Sequence, residues 1–183
     1  MSMRLIAVFG VVVAAVAATF FVVTKHNQPY AGQDSRAIAS LSTEDVEALL
    51  AGEGWGLAKP AELHGYPGPL HILELADELG LSAGQKADIE KIYDSMKSAA
   101  QEAGKRYVDA EAHVSDVFKL GNANPAILDS VLDESANAIA ALRAVHLKAH
   151  LDSTPILTAD QRENYKTLRG YDGSSGSHSG HSH

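Results

Sequence analysis

Between Ser82 and Gly121 the apolar side chains Ile89, Ile92, Met96, Ala99, Ala103, Tyr107, Ala110, Val114 and Val117 recur at steps of three and four. That spacing puts them on one face of a helix about 55 Å long, interrupted only by a tolerated glycine, Gly104. Gly121-Asn122 ends it, and Asn124 with Pro125 forms an N-cap and first-turn pair that opens a second long helix, to about residue 153. Leu128, Leu132, Ile139, Leu142 and His146 make its stripe. A connection this short forces the two helices antiparallel. Two shorter helices are predicted at residues 70–79, with Ile72, Leu75, Ala76 and Leu79 inward and Gly80 as the stop, and at residues 159–169. The expected fold is all-α, an elongated antiparallel four-helix hook: a long helical hairpin with the two short helices folded back at its open end.

Two corners carry the same capping signal, Leu81-Ser82-Ala83-Gly84-Gln85 and Leu157-Thr158-Ala159-Asp160-Gln161. In each, a hydroxyl residue stands three positions before a glutamine, the spacing of a capping box. Upstream, residues 25–67 read as a linker containing one short helix, capped by Ser42 and stopped by Gly52, Gly54 and Gly56 around the single tryptophan, Trp55. Trp55 is expected to pin this loop to the helices. The segment 5–23 bears no charge and is just long enough to cross a hydrocarbon core of about 30 Å. It reads as an N-terminal signal anchor within residues 1–24, while Ala15-Val16-Ala17 also offers the small-residue pattern of a cleaved signal peptide. Gly10, Ala14 and Ala18 form a small-residue stripe along it. Residues 172–183 are Gly, Ser and His with one Asp, a composition that buries nothing and is expected to be disordered. The helical domain is thus expected over residues 68–171.

Composition narrows the chemistry. With 45% apolar but only 6% aromatic residues, the core must be built mainly from Ala, Leu, Ile and Val. The absence of cysteine excludes disulfides and thiolate metal sites, leaving His, Asp and Glu as ligands. A net charge of -8 argues against nucleic acid as a partner. No nucleophile, catalytic triad spacing or phosphate-cradling loop stands out, so an enzyme is not expected.

His146 and His150 stand four apart, one turn of helix, and so share a face. The antiparallel register sets them near Ala99 and Ser95, and the Gly80 corner sets His71 level with Glu90. His71, Glu90, His146 and His150 are therefore the expected metal ligands. Their imidazole and carboxylate donors suit a divalent transition metal, Zn, Ni, Co or Cu(II). His178, His181 and His183 in the tail are weaker candidates. The bland alternative is that His146 is a hydrogen-bonded core histidine and that HxxxH arises by chance.

The LSxxQ and LTxxQ corners on a long helical hairpin behind an export signal resemble the Spy/CpxP superfamily of bacterial periplasmic proteins, over about residues 68–171. That resemblance implies one of two functions. One is metal binding in heavy-metal sensing or resistance, as in its ZraP- and CnrX-like members. The other is metal-independent chaperoning of unfolded clients, or adaptation to envelope stress. It also implies a periplasmic domain held at the inner membrane, a homodimer, and either unfolded proteins or a regulatory membrane protein as partner. CnrX-type members carry an HxxxH pair on their first helix. Here only His71 stands there, and the pair lies on the third as His146 and His150.

Overall fold

A computed structural model describes residues 29–171. The segment 5–23 expected to anchor the chain, its small-residue stripe and the tail with His178, His181 and His183 lie outside the described residues. Among the described residues no helix is long and apolar enough to cross a membrane.

All regular structure among the described residues is helical: α1 (Thr43–Leu50), α2 (Lys59–Leu63), α3 (Pro69–Glu74), α4 (Ala83–Lys119), α5 (Pro125–Ser153) and α6 (Ala159–Leu168), with a 3-10 turn (Thr154–Ile156) between the last two. The expected hairpin is α4 and α5. Ser82 caps α4 with its hydroxyl, Thr158 caps α6, and in both boxes the glutamine returns a bond to the capping backbone. Asn124 caps α5 and Pro125 occupies its first turn. Between them Gly121 takes φ 69°, and the Asn122 amide closes on the Val117 carbonyl at 3.0 Å. Glu111 accepts from Ser135, and His113 meets Glu134 at 3.2 Å, so the register lies within about two residues of that expected from the turn.

The seam of α4 is not a single stripe. Ile89, Ala103 and Ala110 are buried as expected, but so are Ala100, Gly104 and Val108, which form a second row. The reason is α1. Leu49, fully buried, packs with Leu41, Ala100, Ala103, Val108 and Leu142 in one core cluster. A Cβ on Gly104 would stand 2.2 Å from the Leu49 carbonyl oxygen. At Gly104 the α1 backbone therefore approaches α4 too closely to admit a side chain. Residues 32–67 cluster with the hairpin in one compact unit. The expected α5 stripe is likewise corrected at Leu132, which is 48% exposed and belongs to neither core cluster.

The helix expected over residues 70–79 is α3, which ends at Glu74. Leu75 leaves helical geometry at φ -106° and ψ 20°, and successive turns carry residues 75–80. Two bonds there tighten to three-residue spacing, Ala76 to Leu73 and Gly80 to Asp77, while Leu79 to Leu75 keeps four. This lets Leu79 join Ile72 in a second core cluster with Ile89, Leu157 and Tyr165 before Gly80, at φ 60°, turns the chain into α4.

Candidate metal centre

The two core clusters leave a gap between them. On α4 it falls between Ile89 and Ala100, and along α5 and the turn after it between Leu142 and Leu157. A cavity of about 430 Å³ fills that gap, and His71, His146 and His150 all line it, with Tyr93, Met96 and Lys97 of α4. His146 and His150 are there because one turn of α5 separates them, and both are buried, at 3% and 8% exposure. His71, in the first turn of α3, is partly open at its mouth.

Glu90 is not there. It is exposed, one position past the buried Ile89 and so about 100° around α4 from the core. The unwinding of residues 75–80 sets His71 beside Tyr93, Met96 and Lys97, about one turn further along α4 than a continuous helix would.

The hydrogen bonds orient these rings. His150 has its Nδ1 2.7 Å from the Tyr66 carbonyl oxygen, which only accepts, so Nδ1 carries the proton and Nε2 of the neutral ring bears the lone pair. His71 has its Nδ1 2.9 Å from the Glu74 carboxylate, which likewise leaves Nε2 as the basic nitrogen of the neutral ring. His146 Nε2 is buried and has no hydrogen-bond partner. Burial, and secondarily the neighbouring His150 ring, hold the His146 pKa below the ordinary imidazole value. His146 is thus a neutral ring at neutral pH, a cavity-lining residue whose buried Nε2 is left unpartnered. A buried polar atom left so costs about 1–3 kcal/mol, and a ligand that accepts its lone pair, or donates to it, would remove that cost.

Residues without a sequence signal hold the frame. Gly68 lies against the His150 ring, and a Cβ there would come within 2.7 Å of Cε1 and 2.8 Å of Nε2. Its position between Pro67 and Pro69, all three buried, was the one available sign of a close approach. Glu62 accepts from the Gly68 amide at 3.2 Å and from the Tyr165 hydroxyl. It also lies 3.7 Å from His150 Nδ1 and 3.5 Å from Arg169 Nε. Burial and the bond to Glu62 push the Tyr165 pKa up, so Tyr165 stays a neutral donor. Glu62 thereby ties α2 and α6 to the backbone that pins His150, as the carbonyls and carboxylates behind metal-binding histidines do.

As the side chains stand, no group of three or more His, Asp or Glu among the described residues is arranged to hold a metal ion. The donor set nonetheless fits a borderline divalent cation, since it offers three imidazoles around one cavity and an unpartnered nitrogen. No protein-family model, curated protein or solved structure matches this chain.

Proposed function

We propose that the chain is a metal-binding protein of heavy-metal sensing or resistance, with His71, His146 and His150 taking a divalent transition ion through their Nε2 atoms. The observation that carries this reading is that His146, whose buried Nε2 has no hydrogen-bond partner, lines one cavity together with the other two histidines. The ion would supply Lewis acidity and charge. The chain supplies orientation, through Tyr66 behind His150 and Glu74 behind His71. The resemblance of the LSxxQ and LTxxQ corners supports a periplasmic location. The uncharged segment 5–23 supports attachment to the inner membrane, and the same resemblance supports a homodimeric, elongated hook.

Calorimetric titration of the full chain, with His178, His181 and His183 replaced by alanine, tests the reading with Zn, Ni, Co and Cu(II). Micromolar or tighter binding that disappears in His146→Ala with His150→Ala supports it, and no binding of any of the four ions refutes it.

A second reading, a metal-independent chaperone, is favoured by the hairpin tip. Phe118, Leu120, Ile127 and Leu132 are all exposed there, at 58%, 68%, 38% and 48%. Exposed apolar side chains of this kind suit unfolded clients. Suppression of client aggregation in chelator, unchanged by the histidine substitutions but lost in Phe118→Ser with Leu120→Ser, would establish it.

A further inference from the structure

The loop between α1 and α2 forms part of the wall of the histidine cavity through Gly52, Glu53, Gly54 and Ala58. Glu53 is the single carboxylate among the described residues lining that cavity. Its backbone amide is bonded to the Ala48 carbonyl, but its carboxylate forms no hydrogen bond or ion pair with another described residue. The other charged group on the wall is Lys97, whose ammonium lies 5.9 Å from the centroid of the Tyr93 ring.

The loop is held in an unusual backbone conformation. Gly52 and Gly56 both take φ 70°, and Trp55 between them takes φ 44°, the one non-glycine among the described residues at positive φ. A bulky side chain is disfavoured there, so something outside the backbone must hold it. Two contacts do. Trp55 Nε1 donates to Asp45 Oδ1 at 2.9 Å, and the indole lies 6.0 Å, centroid to centroid, from the Tyr107 ring. At one end Gly52 is wedged against the Lys97 carbonyl, where a Cβ would come within 2.9 Å. At the other, Gly54 and Gly56 face open space. The loop is thus fixed at Gly52 and latched by Trp55, with open space beside Gly54 and Gly56.

We propose that Glu53, carried on this Trp55-latched loop, is the carboxylate that completes the centre of His71, His146 and His150. The proposal rests on the metal-binding reading above. Three neutral imidazoles bring no negative charge, and Lys97 adds a positive one, so a divalent ion in this cavity needs an anionic ligand to offset its desolvation. Glu53 is the group in place to provide it. Its lack of a partner makes it free to turn inward, and its neighbouring glycines let the backbone follow. A sensor built this way transmits occupancy to Trp55 and through it to α1 and α4.

The test uses the full chain with the three tail histidines replaced by alanine, and compares it with added Glu53→Gln, Glu47→Gln or His146→Ala. Co(II) titrations read affinity and the d–d band, which responds to the donor set. Zn(II) titrations read the emission of the single tryptophan. The expected result is a Zn(II)-induced emission change and Co(II) binding that Glu47→Gln leaves unaltered. Glu53→Gln should bind Co(II) at least about tenfold more weakly, with an altered band, and should lose the Trp55 response even at saturating Zn(II). Unchanged affinity and band in Glu53→Gln, with binding abolished in His146→Ala, would overturn the role of Glu53 and leave the histidine centre standing. No ion bound by the parent chain would remove both.

Discussion

Gln85 and Gln161 bond to each other across the open end of the hairpin: Gln85 Nε2 donates to Gln161 Oε1 at 2.7 Å, and Gln161 Nε2 donates back to Gln85 Oε1 at 3.2 Å. Each also closes its own capping box, and each reaches a carbonyl at the other's corner, Ile156 for Gln85 and Leu79 for Gln161. The two repeated corners are therefore one clasp that fixes where α6 sits on the α3–α4 turn. Gln161→Ala should cost about 1–3 kcal/mol, more than an isolated cap, because it also leaves part of the Gln85 amide unpaired. Urea unfolding of both single variants and the double variant measures this. A coupling energy of about 0.5 kcal/mol or more is expected, and simple additivity would show that the caps act separately.

Gly104 and Gly84 lie on the same helix and should respond oppositely to alanine. At Gly104 the new Cβ would meet Leu49 backbone at 2.2 Å, and α1 must move off α4 at a cost of about 1–3 kcal/mol or more. At Gly84 the nearest atom is Ser82 Oγ at 4.0 Å, so Gly84→Ala should stabilise by about 0.4–1 kcal/mol. Thermal melting of the two variants checks both signs.

Gly68→Ala should act on His150 without replacing a ligand. The added methyl would overlap the ring, forcing it or the 67–69 backbone to shift. The bond from Nδ1 to the Tyr66 carbonyl is then lengthened or lost, and metal affinity should fall about 10- to 100-fold. Calorimetry with Zn(II) measures the loss, while a circular dichroism spectrum confirms that the helices remain.

Acid should weaken the metal-free fold through His146. Burial holds its folded-state pKa below the ordinary value of about 6.5, so the unfolded chain takes up this proton more readily than the folded one. The contribution is fully present above about pH 6.5, is lost as pH falls below it, and stops changing once folded His146 is itself protonated. Carboxylates titrate mostly below this window. Urea midpoints between pH 7.5 and 5.5 should decline in the wild type and run flatter in His146→Gln. Parallel declines would show that His146 does not control the slope.

The two long helices and α6 were legible from their ends. Ser82, Thr158 and Asn124 signalled starts and Gly121 signalled a stop, whereas the helix expected to run up to Gly80 ends at Glu74. The length of the Gly121 turn then determined the pairing of α4 with α5, so His146 and His150 could be placed on one buried face. These are local facts, since caps act within four residues and a helical face repeats every 3.6.

Only the tertiary structure decided that α1 packs at Gly104, that Gly68 makes room for His150, and that Glu53 rather than Glu90 lines the cavity. Gly104 and Gly68 contribute by lacking a side chain, which leaves no mark in a hydrophobic pattern. Glu53 follows from a loop whose path no period describes. His71 shows the boundary most plainly. Its place at the mouth of the cavity depends on how far the chain advances through residues 75–80. Once a helix gives way to turns, the rise and rotation per residue are set by what must be buried on either side, here Ile72 and Leu79, and no longer by sequence spacing.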